Sequence, residues 1–273
     1  MKIISDPLAL KEYLHVKEKT VGYVPTMGAL HEGHIALMKK AREENELVVV
    51  SIFVNPTQFL AGEDLEKYPR RDEADKKICE LSGVDVLFMP QSDTLYFEDE
   101  VKIQAPNVRG YILEGATRPG HFSGVLRVVM KLLNLVNPTR AYFGKKDAQQ
   151  LHLIMLMVKH YFMDVEIVPV DTVRESDGLA LSSRNVYLST QERKEALKIS
   201  QALYRASAMV ASGKRDVATI EAEMLHILEP LEIGYVAILN REFEVIQEVE
   251  LGNTIILIEV LVGQTRLLDN IWL

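Results

Sequence analysis

At 273 residues the chain can bury a sizeable core, in one large domain or two unequal ones. Apolar residues make up 48% and charged residues 26%, ordinary soluble usage that excludes disordered and fibrous classes. Thirty-one basic against thirty-nine acidic residues leave a net charge of −8, which argues against nucleic-acid binding through a broad basic face, so an anionic substrate needs a local cluster of donors.

Met1 to Leu10 carries Asp6 and Pro7 where a signal peptide would need a continuous apolar core. The longest apolar runs, Leu47 to Val54 and Ile255 to Val262, fall well short of the roughly 20 residues that cross a bilayer. A cytoplasmic protein with no membrane partner is expected. Thr20 to Pro25 is β-prone, and Leu47 to Val54 is apolar almost throughout, as a strand covered on both faces would be. Between them His34 to Glu44 has helix-like spacing, which makes a βαβ unit. The alternation continues with a helix over Arg71 to Ser82, a strand over Val84 to Met89, a helix over Gly124 to Val136 and a strand over Arg140 to Phe143. A helix over Asp147 to Tyr161 and a strand over Val165 to Val170 complete it. Such alternation predicts an α/β fold, a Rossmann-like doubly wound parallel sheet whose ligands bind in the loops beyond the carboxyl ends of the strands. The single cysteine, Cys79, lies in a helical pattern, makes no internal disulfide and fits a reducing compartment.

From Thr190 the pattern changes to helices over Gln191 to Ser212 and Ala218 to Leu228. Strand-like runs follow over Tyr235 to Leu239, Thr254 to Val262 and Thr265 to Leu268. These predict a second, smaller α+β domain over 176–273 that covers the site, after a first domain over 1–175.

Four strand-following loops hold the polar residues. Pro25 to His34 opens a helix, where unpaired N–H groups and the positive end of the helix dipole suit a phosphate; its two histidines, three residues apart, add donors or cations. His-Glu-Gly-His lacks the i, i+4 spacing of a zinc helix, so no protein metal site is expected there. In Phe53 to Phe59, Gln58 offers a donor and an acceptor to a hydroxy acid, with Phe59 as a wall against water. In Phe143 to Gln150, Lys146 is a point charge for phosphate, Asp147 caps the helix or holds a ribose, and Gln150 lies one turn on. In Val173 to Asn185, two serines and an arginine in sequence suit a departing phosphate group. A fifth stretch, Leu113 to Phe122, reads as an irregular, glycine-rich loop of the kind that forms lids.

Pro-Thr-Met-Gly-Ala-Leu-His-Glu-Gly-His resembles the ATP signature of pantothenate synthetases, within the wider His-x-Gly-His group of adenylate-forming nucleotidyltransferases. Phe-Val-Asn-Pro-Thr-Gln-Phe, Phe-Gly-Lys-Lys-Asp-Ala-Gln-Gln and Asp-Gly-Leu-Ala-Leu-Ser-Ser-Arg-Asn are similar to that family's other motifs, in the same order. The resemblance implies ligation of pantoate to β-alanine through a pantoyl-adenylate, with ATP as substrate, Mg²⁺ as its metal and a homodimer as the assembly. It implies an ATP site of Met27, Gly28, Ala29, Leu30, His31, Glu32, Gly33 and His34 with Gly144, Lys145, Lys146 and Asp147. Val173 would meet the adenine through its backbone, and Leu181, Ser182, Ser183 and Arg184 would complete that site. Gln58 and Gln150 would bind pantoate, Gln58 also near β-alanine. His34, His31 and Lys146 are the expected catalytic residues, with His34 the proton donor, and Arg118 and His121 would close over the phosphates. Two rival readings are a related enzyme acting on another small acid and a non-catalytic nucleotide-binding module. A tRNA-charging enzyme is disfavoured, because eight basic and thirteen acidic residues follow Thr190.

Overall fold

The computed structural model describes residues 1–15 and 18–273. They divide into two compact units, Met1–Gly144 with Gln150–Asp171, and Lys145–Gln149 with Thr172–Leu273.

The first unit runs β1 (Lys2–Ile4), α1 (Pro7–His15), β2 (Val21–Thr26), α2 (Glu32–Glu44), β3 (Leu47–Ile52), α3 (Asp72–Leu81) and β4 (Val86–Phe88). It continues with the short helices α4 (Ser92–Leu95) and α5 (Glu114–Thr117), then α6 (His121–Val136), β5 (Arg140–Gly144), α7 (Ala148–His160) and β6 (Glu166–Val170). Its six strands form one sheet in the order β1-β4-β3-β2-β5-β6, every neighbouring pair parallel. The doubly wound fold is therefore present. β3 is buried at every residue, as its unbroken Leu-Val-Val-Val-Ser-Ile run requires of a strand with both faces covered. Val24, Val48 and Val50 pack with Leu37, Met38 and Ala41 of α2 and with Cys79 of α3; fully burying a side chain of valine or leucine size contributes about 1.5–3 kcal/mol. The winding direction reverses between β2 and β5, and the loop after β2 stands at that switch point, where open α/β sheets hold ligands.

Two first-unit findings depart from the sequence reading. β1 carries no periodic signal of its own, being a three-residue strand whose partner β4 lies far along the chain, and α1, with Pro7, Leu10 and Leu14 buried at helical spacing, stands outside the predicted elements. The stretch Leu113–Phe122 is ordered structure: α5 forms within it and α6 starts at His121, behind Gly120 at φ 92°.

The second unit contains α8 (Thr190–Ala211), α9 (Val217–Leu228) and the antiparallel sheet β7 (Glu232–Asn240), β8 (Thr254–Val262), β9 (Thr265–Trp272), in the order β7-β8-β9. Ser189 starts α8 with a capping box shared with Glu192. Ile199, Leu203 and Met209 of α8 and Ile220 and Met224 of α9 form one core with Ile256, Ile258 and Val260 of β8. β9 extends four residues beyond the predicted Leu268, because the polar pair Asp269-Asn270 ends the apolar pattern without ending the strand.

Candidate active site

The loop from β2 to α2 is built by its own side chains. Thr26 Oγ1 donates to the Ser51 carbonyl at 2.7 Å and accepts from Gly28 N at 3.3 Å. Asp75, 1% exposed on α3, accepts the backbone N–H groups of Ala29 and Leu30 at 2.8 and 2.9 Å. Those amides, expected to face a phosphate, already have an acceptor. Ala29 sits at φ 50°, in the left-handed region, and the two bonds to Asp75 hold it there. His31 is the N-cap of α2: its Nδ1 accepts from Gly33 N at 3.2 Å, while His34 Nδ1 accepts from His31 N at 3.3 Å. This is a capping box in which imidazoles replace the usual hydroxyl and carboxylate. With both Nδ1 atoms accepting, the proton of each neutral ring sits on Nε2. The ring centroids are 4.1 Å apart, so two N–H donors stand side by side at the helix N-terminus. Gly33 is needed there, since a Cβ would lie 2.9 Å from His31 Cε1. Glu32 begins α2, and Met27 faces the next loop.

That loop is the turn Pro56–Gln58 after β3, capped by Asn55. Asn55 Oδ1 accepts from Thr57 Oγ1 at 2.9 Å and from the Tyr96 hydroxyl at 2.6 Å, which orients its amide; Nδ2 then donates to Gln58 Oε1 at 2.9 Å and to the Gly124 carbonyl at 3.2 Å. Burial holds the Tyr96 phenol above its ordinary range, so it stays a donor. Gln58 Nε2 in turn lies 3.3 Å from Met27 Sδ. Gln58 and the histidine loop therefore meet in the first unit, with the amide held in one orientation.

Arg118 and His121, which the resemblance expects over the phosphates, lie together against the turn that carries Gln58. Both are buried, at 6% and 4% exposure. Arg118 pairs with Glu63 at 2.7 Å and with Glu114 at 2.9 Å, and donates to the Gln58 carbonyl at 3.3 Å. Its Nη1 meets His121 Nε2 at 2.9 Å; because guanidinium only donates, His121 carries its proton on Nδ1 and gives it to the Gln58 carbonyl at 2.8 Å. Burial, with Arg118 adding to it and Glu114 opposing, lowers the His121 pKa below 6.5. The pair braces the turn carrying Gln58 from beneath. Gln150, the other expected pantoate ligand, stands in the first turn of α7 and is partly exposed. Cys79 is buried and its thiol is pushed up to about 12 by burial and by nearby Asp75, which leaves it no nucleophilic role.

In the second unit Lys145–Asp147, directly after Gly144, form a single 3-10 turn, with Lys146 Nζ 3.5 Å from Asp147 Oδ1. Val173 and Leu181 face each other across a small hairpin, Leu181 N donating to the Val173 carbonyl at 3.0 Å. Ser182 caps the turn Ser183–Tyr187 by accepting from Arg184 N at 3.2 Å. Asp269 and Asn270 of β9 bind both segments: Arg174 of the hairpin reaches Asp269, and Asn270 donates to the carbonyls of Lys145 and Lys146. Sequence reasoning missed Asp75, Asn55, Tyr96 and this pair. For Asp75 a signal existed: it stands one turn before Cys79 on the buried stripe of α3, where a carboxylate needs a partner. No group of three or more His, Cys, Asp or Glu side chains able to hold a metal occurs among the described residues, and no described helix is long and apolar enough to cross a membrane.

A parallel doubly wound sheet with a His-x-Gly-His helix start at its switch point defines a Rossmann-like α/β protein whose ligand loop carries paired imidazoles. Comparison narrows the class. The family model for pantoate-β-alanine ligase matches residues 2–272. The pantothenate synthetase of Sulfurimonas denitrificans is 66% identical over 273 residues, covering 100% of both chains. The crystal structure of pantothenate synthetase from Thermus thermophilus superimposes with a TM-score of 0.95 at 42% identity, over 99% of each chain. A pantoate-β-alanine ligase from Francisella tularensis, complexed with beta-gamma ATP and beta-alanine, gives a TM-score of 0.82 at 35% identity, over 100% of this chain and 97% of that one. The chain belongs to the pantoate–β-alanine ligase family: it is an enzyme that joins pantoate to β-alanine.

Proposed function

We propose that the enzyme drives this ligation with ATP, in two half-reactions. A carboxylate does not condense with an amine at neutral pH, because oxide is too poor a leaving group. The pantoate carboxylate therefore attacks the α-phosphorus of ATP, forming pantoyl-adenylate as the bond to pyrophosphate breaks. The β-alanine amine then attacks the acyl carbon, and AMP leaves with the bonding pair. The observation that carries this reading is the pair of imidazoles fixed by the capping box, both with Nε2–H as donor, beside a Gln58 amide of set orientation. Charge accumulates on phosphate oxygens in the first step, and preorganised donors stabilise it without reorganising.

We assign His31 and His34 to the phosphates, with His34 the proton donor, and Gln58 and Gln150 to pantoate. Lys146, Ser182, Ser183 and Arg184 take the departing pyrophosphate. Met27, Gly28, Ala29, Leu30, Glu32, Gly33, Gly144, Lys145, Asp147 and Leu181 complete the ATP site, with the Val173 backbone at the adenine. Since Ala29 and Leu30 donate to Asp75, that loop binds the phosphates through its histidine side chains. Mg²⁺ bound to the substrate triphosphate would neutralise part of its charge, which leaves the histidines and Lys146 to orient the phosphates. The working enzyme is a cytoplasmic homodimer.

The test is incubation with ATP, Mg²⁺ and pantoate, with and without β-alanine, following pyrophosphate, AMP and pantothenate. Pyrophosphate release that depends on pantoate, and AMP equal to pantothenate once β-alanine is added, are expected. AMP formation that needs no pantoate would sink the adenylate route.

A further inference from the structure

Asp269 and Asn270 put two polar side chains, 4% and 3% exposed, between Leu268 and Ile271 of β9. Such burial is unfavourable unless every polar atom finds a partner. Asn270 Nδ2 donates to the carbonyls of both Lys145 and Lys146, at 2.9 and 2.7 Å, which uses both of its hydrogens. Its Oδ1 accepts from Trp272 Nε1 at 2.9 Å. An indole N–H only donates, so the amide has one orientation, with its NH₂ group toward the lysine turn. Lys145 Nζ lies 5.5 Å from the centre of the Trp272 ring, a second tie between the turn and the strand. Successive strand residues point to opposite faces, so Asp269 works on the other side. It grips Arg174 bidentately at 2.5 and 3.0 Å, and Arg174 also donates to the carbonyls of Gly178 and Asn270, at 3.2 Å each.

We infer that Asn270 is a positioning residue for adenylate formation, acting through the backbone of the Lys145–Asp147 turn to aim the Lys146 ammonium. Trp272 serves it by locking the amide. The inference rests on the assignment of Lys146 to the departing pyrophosphate. A lysine on a turn whose two carbonyls are both held has fewer directions to explore, and its charge is preorganised toward the phosphates.

The experiment measures single-turnover pyrophosphate release from ATP, Mg²⁺ and pantoate in the full chain carrying Asn270→Asp, Lys146→Ala or both. Aspartate keeps the shape of asparagine but turns an acceptor toward two carbonyls. The inference expects Asn270→Asp to slow release by about tenfold or more, and the double variant to be no slower than Lys146→Ala alone, because both remove one function. Trp272→Phe, which keeps a ring and loses the donor, should slow release by less. Trp272 is the only tryptophan of the chain, so a shifted emission in Asn270→Asp reads the loss of the contact apart from activity. Two results overturn the inference: parent-rate release in Asn270→Asp beside a slow Lys146→Ala, or slowing that multiplies in the double variant. If Asn270→Asp does not fold, Trp272→Phe at the parent rate overturns it equally. A Lys146→Ala enzyme at the parent rate marks a different failure, that of the lysine's own assignment, and this inference falls with it.

Discussion

In the loop that starts α2, each imidazole gives Nδ1 to the backbone of its own helix, and Nε2–H is what it can offer to a ligand. His34→Ala therefore removes a cap and a donor together. Losing one transition-state donor costs about a hundredfold in rate, so pyrophosphate release in a single turnover should fall by that factor while circular dichroism stays native. Asp75 works behind them. Asp75→Ala would leave the buried amides of Ala29 and Leu30 without an acceptor, at about 1–3 kcal/mol for each; urea unfolding should show the loss, and pyrophosphate release should slow with it. His121 sets a pH limit. Its folded pKa lies below 6.5, mainly through burial, so between those two values the unfolded chain binds a proton that the native one refuses. Stability is then complete above pH 6.5 and declines as pH falls toward the lowered value. His121→Asn, which keeps a donor for the Gln58 carbonyl, should flatten the melting temperature against pH across that window. An unchanged slope would show that the acid sensitivity lies elsewhere.

Helix α6 carries Gly124 against the turn that holds Gln58, where a Cβ would meet the Thr57 carbonyl oxygen at 2.2 Å. Gly124→Ala must push the turn away. We expect a loss of about 1–3 kcal/mol from overpacking and a raised KM for pantoate with a smaller change for ATP; equal changes in both would deny the turn its selective part. Elements of this kind show what the sequence made legible. The nearly all-apolar β3 and the helical spacing of α2 located the central βαβ unit, because a buried parallel strand and an amphipathic crossover have distinct periods. The strand β1 did not show, since three residues have no period and only its pairing with β4 defines it. The histidine loop and Gln58 were readable for a similar reason: each follows a strong strand within a few residues. Asp75, Tyr96 and Asn270 were not, because they act on residues 46, 41 and 125 positions away, and nothing local marks such a contact. The stretch Leu113–Phe122 reads in the sequence as an irregular glycine-rich loop, whereas Gly115 stands where a Cβ would meet the Gly110 carbonyl oxygen at 2.2 Å and Arg118 is paired with Glu63 and Glu114.

For the whole molecule, an excess of eight negative charges means that an anionic nucleotide is drawn in only by local donors, and their gain should appear as ligand-dependent stability. At about a hundred times its Kd, ATP with Mg²⁺ adds about 2.7 kcal/mol, so the melting temperature should rise with nucleotide concentration and rise less in His34→Ala. A flat response would contradict nucleotide binding by the native chain. The two contacts from Asn270 to the Lys145 and Lys146 carbonyls span 125 and 124 positions of chain. Protein synthesis runs in one direction, and folding units tend to form as they emerge. The sheet of the first unit can assemble from β1 through β6 while Asn270 has yet to be made. The lysine turn lies between β5 and β6 and yet waits for β9, so a growing chain holds its β2 loop well before its lysines are secured, and partial products of translation lack that contact however well their first unit has folded.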